Sequence, residues 1–105
     1  MSLLAKTPEP PYYAVIFSSI RNNDDGAYIE MAIKMDELAK EQPGYLGVES
    51  ARETLGITVS YWESLEAIRN WKLNTSHIEA QKKGKSEWYK NYSVRIAKVE
   101  RAYSF

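Results

Sequence analysis

Residues 45–62, YLGVESARETLGITVSYW, decide the fold, because two runs of extended-chain character flank the short link Glu53-Thr54-Leu55-Gly56. Tyr45–Arg52 and Ile57–Trp62 have the length and the β-branched and aromatic content of strands, and a short glycine-containing connection between such runs reads as a β-hairpin. Downstream, Ser64 is a good helix N-cap. Leu65, Ile68, Trp71, Thr75 and Ile78 then recur at helical spacing toward Lys82, and Gly84 supplies a stop. Upstream, Gln42-Pro43-Gly44 closes an earlier helix whose apolar face is Tyr28, Met31, Met35 and Leu38, with Ala32 and Ala39 beside them. The turn formers and acidic groups of Asn22-Asn23-Asp24-Asp25-Gly26 suit the start of that helix.

The outer segments complete the pattern. Tyr12–Ile20, YYAVIFSSI, reads as a strand with Val15 and Phe17 on one side and Ala14, Ile16 and Ile20 on the other, so both faces expect cover. Tyr92–Phe105 reads as a long extended segment in which Val94, Ile96 and Ala102 alternate against Arg95, Ala97, Val99, Arg101, Tyr103 and Phe105. The order strand, helix, strand, strand, helix, strand predicts an α+β chain of the ferredoxin-like βαββαβ kind, with both helices on one face of a four-stranded antiparallel sheet. That arrangement leaves an apolar sheet face toward water. A two-fold homodimer, sheet against sheet, is the expected way to hide it.

At 105 residues and 12.1 kDa, folding as one domain hides roughly two-thirds of the unfolded chain's surface. Residues 12–105 are expected to form that domain and residues 1–11, with the run Thr-Pro-Glu-Pro-Pro, a flexible leader. Lysine plus arginine equals aspartate plus glutamate at 14 each, so no net field draws the chain to nucleic acid or an acidic membrane. The basic run from Lys82 to Lys85 is neighboured by Glu79 and Glu87 and reads as a solvated helix end. No stretch approaches the roughly 20 apolar residues of a membrane-spanning helix. Cysteine is absent, which removes thiolate nucleophiles, disulfides and cysteine-based metal sites, and a cytoplasmic setting is expected.

The segments YYAVIFSSIR, GYLGVESAR, GITVSYWESLEAIRNWK and EWYKNYSVRIAKVERAYSF, with His77 between the last two, resemble the antibiotic-biosynthesis-monooxygenase domain family, in particular its small stand-alone bacterial members. The resemblance runs from Tyr12 to Phe105. It implies a dimeric α+β barrel of two ferredoxin-like protomers, each with a pocket between helices and sheet. It also implies a monooxygenase that acts on a small aromatic or quinone-like molecule with no metal, flavin or other cofactor. Haem binding or degradation, and a non-catalytic ligand-binding dimer, are the alternatives the same resemblance carries.

Candidate residues follow from both readings. His77 is the only histidine, so near-neutral proton transfer or imidazole ligation falls to it. Trp71 matches the second-helix tryptophan of the quinone-forming relatives, whereas Ala67 stands where they carry asparagine and His77 falls near their tyrosine. In the haem-degrading relatives the axial histidine's position corresponds to Gln81 here, and Ser18 and Ser19 stand on the strand that supplies their oxygen-contacting asparagine. Tyr61 and Trp62, with Trp88, Tyr89 and Tyr92, give the second half an aromatic content suited to a flat apolar ligand. The expected site is therefore catalytic Trp71 and His77 with Tyr61, Trp62 and Ser18 against the substrate, and His77 as a metal ligand only if haem binds.

Overall fold

The computed structural model describes residues 3–21, 27–74 and 89–105. Its elements are β1 (Tyr12–Arg21), α1 (Ala27–Lys40), β2 (Tyr45–Arg52), β3 (Gly56–Trp62), α2 (Leu65–Lys72) and β4 (Tyr89–Val99), in the predicted βαββαβ order. The strands form one antiparallel sheet in the order β2-β3-β1-β4. No helix among the described residues is long and apolar enough to cross a membrane.

Local chemistry explains the boundaries. Gly44 ends the α1 connection at φ +87°, a backbone state that glycine adopts without a Cβ penalty. A Cβ there would also come within 2.6 Å of the Ala67 methyl, so the turn and α2 sit close together. Ser64 caps α2 as expected, its Oγ accepting from the Ala67 N–H at 3.0 Å. The helix then stops at Lys72, short of the predicted run to Lys82. Leu73 N–H reaches both Arg69 O and Asn70 O, and Asn74 N–H bonds Trp71 O at 3.0 Å, so the last turn tightens and closes. Thr75, Ile78 and Lys82 lie outside the described residues.

The fourth strand also differs from expectation: it starts at Tyr89 and ends at Val99, with 100–105 outside the sheet. Its neighbour sets the limit. Val99 pairs with Tyr12, the first residue of β1, and Pro10 and Pro11 before it offer no N–H to extend a ladder.

Trp62, Val15, Ala39, Ala67 and Ile68 form the core beneath the helices, with Tyr13, Tyr45 and Trp71 packed against them. Of the expected α1 face, Ala39 is buried and Ala32 exposed. Trp62 is wholly buried, and its indole N–H donates to Ser60 Oγ at 2.9 Å, so no polar group is stranded by its burial. The opposite face of the sheet is not bare at one end. Residues 3–11, expected as a flexible leader, make defined contacts there: Ala5 N–H donates to Glu49 Oε2 at 3.0 Å, the Ala5 methyl lies over Gly47, and Thr7 Oγ1 and Tyr12 Oη are hydrogen-bonded at 2.9 Å.

Candidate functional site

Side chains alternate across a sheet, so the antiparallel register sorts every strand residue onto one of two floors. On the helix side, Tyr45, Trp62, Tyr13 and Lys98 make one row, and Val48, Ser60, Val15 and Ile96 the next. Continuing away from the tryptophan core, Ser50, Thr58, Phe17 and Val94 follow, then Arg52, Gly56, Ser19 and Tyr92. In the first two rows Trp62 and Val15 belong to the packed core, with Tyr45 and Tyr13 against it, while Lys98 and Ile96 at the β4 end are exposed. The last two combine aromatic rings, hydroxyls and a cation.

Phe17, Tyr89 and Tyr92 cluster on this floor, with ring centroids 5.3 Å (Phe17–Tyr89), 5.5 Å (Phe17–Tyr92) and 5.9 Å (Tyr89–Tyr92) apart. The register shift between Ile20 and Arg21 opposite Tyr89 brings that tyrosine to the same side as Tyr92. Beside the trio, Arg52 extends from β2 across Gly56 of β3 and donates from Nη2 to Ser19 Oγ of β1. Gly56 makes this crossing possible, because a Cβ at that position would overlap the guanidinium. Ser19 is only 2% exposed, so the far end of the crossing is held inside the sheet surface.

The expected site residues do not all meet. Trp71 is half-buried, with its ring 5.1 Å from that of Trp62 and tilted 31° to it, so these two come together on the helix side. Trp62 itself is sealed in the core, where no ligand can stack on it. Ser18 and Tyr61 face the other way: Ser18 stands in register with Ile57 and Ser93, and Tyr61 with Ala14 on the outer floor. There Tyr61 packs edge-on against Tyr12 and donates to Glu49 Oε1 at 2.6 Å. Burial, and then the bond to the Glu49 carboxylate, push the Tyr61 phenol up to about 12. Neither residue can share a helix-side pocket with Trp71. His77 and Trp88 lie outside the described residues.

Sequence reasoning set Ser18 rather than its neighbour Ser19 against the substrate, and gave Arg52 and Gly56 no part in the site. The signal for Ser19 was present, since it shares strand parity with Val15 and Phe17 whereas Ser18 does not. A long cation opposite a glycine across a hairpin is the signal for Arg52. No group of three or more metal-ligating side chains occurs among the described residues.

Comparison with known proteins places these features in a family. Residues 11–83 match the family model described as antibiotic biosynthesis monooxygenase. The chain is 57% identical over 103 residues to the uncharacterized protein YqjZ of Bacillus subtilis (strain 168), a match that spans 96% of this chain and 90% of that protein. Among solved structures it is similar to SnoaB, a cofactor-independent oxygenase from Streptomyces nogalater, with a TM-score of 0.76 at 8% identity, covering 89% of this chain and 97% of SnoaB. It is also similar to Rv0793 from Mycobacterium tuberculosis, with a TM-score of 0.77 at 11% identity over 89% and 99% of the two chains. At such identities the structural likeness shows a shared fold.

Proposed function

The chain belongs to the antibiotic biosynthesis monooxygenase family, and from that premise we propose that it is a cytoplasmic homodimeric oxygenase that oxidises a small, flat, electron-rich aromatic molecule with dioxygen, using neither metal nor flavin. The observation that carries this reading is the aromatic floor of Phe17, Tyr89 and Tyr92 on the helix side of the sheet, beside hydroxyl and cationic groups. Large rings with a few polar groups at one edge suit a planar ligand with an oxygen substituent. The fold shared with SnoaB, itself a cofactor-independent oxygenase, is compatible with the same chemistry.

The reaction balances without an outside reductant. A ring methylene, activated by a neighbouring ionised phenol, becomes a carbonyl; one oxygen atom of dioxygen enters the product and the other leaves as water with the two hydrogens. Four electrons leave the substrate and four reduce dioxygen. The protein's tasks are to hold the ring flat, exclude water and accept the phenolic proton. In this reading Trp71 lines the core end of the same helix side, and His77, the one imidazole in the sequence, takes the proton. The outer floor, with Ile20 and Ile57 exposed, is the face that the second protomer covers.

An oxygen electrode tests the reading. Purified protein with a hydroxylated anthrone and no added metal should take up one dioxygen per substrate and form the quinone, and Trp71→Phe should slow this while the far-ultraviolet circular dichroism is unchanged. Uptake no faster than in buffer would overturn it. A Soret band on adding hemin that His77→Ala abolishes would instead support haem binding.

A further inference from the structure

We propose that Arg52 anchors the ionised oxygen of the aromatic substrate, so that the site selects planar phenols as their anions. This rests on the oxygenase reading for its substrate and for the ionised phenol, and adds the residue that selects that ionised form.

Arg52 occupies the end of an edge strand, where a long cation ordinarily reaches into water. Here the residue stays exposed, but its guanidinium lies along the sheet, crosses the vacant side-chain position of Gly56 and meets Ser19 two strands away. A guanidinium carries five N–H donors in a planar fork, and the bond to Ser19 uses one of them. No carboxylate among the described residues pairs with it. Its charge is therefore held in place, over the sheet, with donors to spare.

What lies beside it gives the ligand its shape. Tyr92 is the next residue to Ser19 in the same cross-strand row, and Phe17 and Tyr89 complete the ring cluster around Tyr92. Neighbouring strands are about 5 Å apart, so a ring resting on the trio brings an oxygen at its edge within reach of the guanidinium. A fixed cation beside an apolar floor favours the charged form of that oxygen. Hydrogen bonds from a guanidinium to an anion are shorter and stronger than those to a neutral hydroxyl. Ionisation releases the phenolic proton, leaving the ring the electron-rich species that dioxygen oxidises.

The probe is 2-hydroxyanthraquinone, whose phenol and phenolate absorb at different wavelengths, with 2-methoxyanthraquinone as the neutral control. Bound to the native protein, the hydroxy probe should ionise at least one pH unit below its value in buffer, which means the anion binds at least about tenfold more tightly than the phenol. Arg52→Gln should abolish that displacement while binding the methoxy compound as the native protein does, which also reports that the variant is folded. Gly56→Ala keeps the guanidinium but displaces its flexible end, and should give the same loss. An unchanged displacement in Arg52→Gln, no displacement in the native protein, or failure of both probes to bind would overturn the proposal. Oxygen uptake with no displacement removes the Arg52 anchor alone; displacement with no uptake on the anthrone removes the oxygenase reading alone.

Discussion

Tyr61 donates its phenolic hydrogen to one oxygen of Glu49 while the other oxygen of the same carboxylate holds the N–H of Ala5, so one side chain fastens residues 3–7 to the outer floor of the sheet. The phenol is raised from 10 to about 12 by burial and by that carboxylate. A phenol whose pKa is higher folded than unfolded stabilises the fold at every pH below its ordinary value and loses that contribution as pH climbs toward 12. Ultraviolet titration should therefore show a tyrosine that resists ionisation until about pH 12 and that is missing from Tyr61→Phe. At neutral pH the same variant should lose about 1 kcal/mol in urea unfolding, the ordinary worth of one partly exposed hydrogen bond.

The core gives a larger effect. Trp62→Ala should cost roughly 3–5 kcal/mol, because the cavity cannot be closed by neighbours that already pack on both sides of the ring. Ser60→Ala leaves the indole N–H buried without its acceptor and should cost about 1–3 kcal/mol. Both are read from urea midpoints at constant slope.

Gly44 is constrained twice, by its positive φ and by the Ala67 methyl. Gly44→Ala should lose about 1–3 kcal/mol, since strain and overlap act together. The paired change Gly44→Ala with Ala67→Gly relieves the overlap but keeps the strained backbone, so thermal melts should recover only part of the loss.

Dimerisation is read by light scattering. The native chain should be a dimer at micromolar concentration, and Ile57→Lys, which puts a charge on a 40% exposed position of the outer floor, should shift it to monomer without unfolding it. A native monomer would contradict the homodimer.

The hairpin, the cap at Ser64 and the stop at Gly44 were legible because each depends on residues within a few positions of one another. The strand end at Val99 was not, because Pro10 and Pro11, far away in sequence, set it from the neighbouring strand. Placing Tyr61 with Trp62 in one pocket overlooked the two-residue period of a strand: consecutive residues face opposite floors, and here one is sealed in the core while the other bonds Glu49 on the outer floor. The Arg52–Ser19 contact joins residues 33 positions apart, and no local pattern announces it.

The position of β1 governs how the sheet can assemble. It lies between β3 and β4, and Tyr12 is matched with Val99, so the loop that closes this pairing contains most of the chain. During translation the hairpin of residues 45–62 can zip early, whereas one edge of the earliest-made strand waits, aromatic and unpaired, until residues 89–99 have left the ribosome. Assembly is thus paced by its longest-range partnership, and the nascent chain is most exposed to wrong edge-to-edge association in the interval just before that partnership forms.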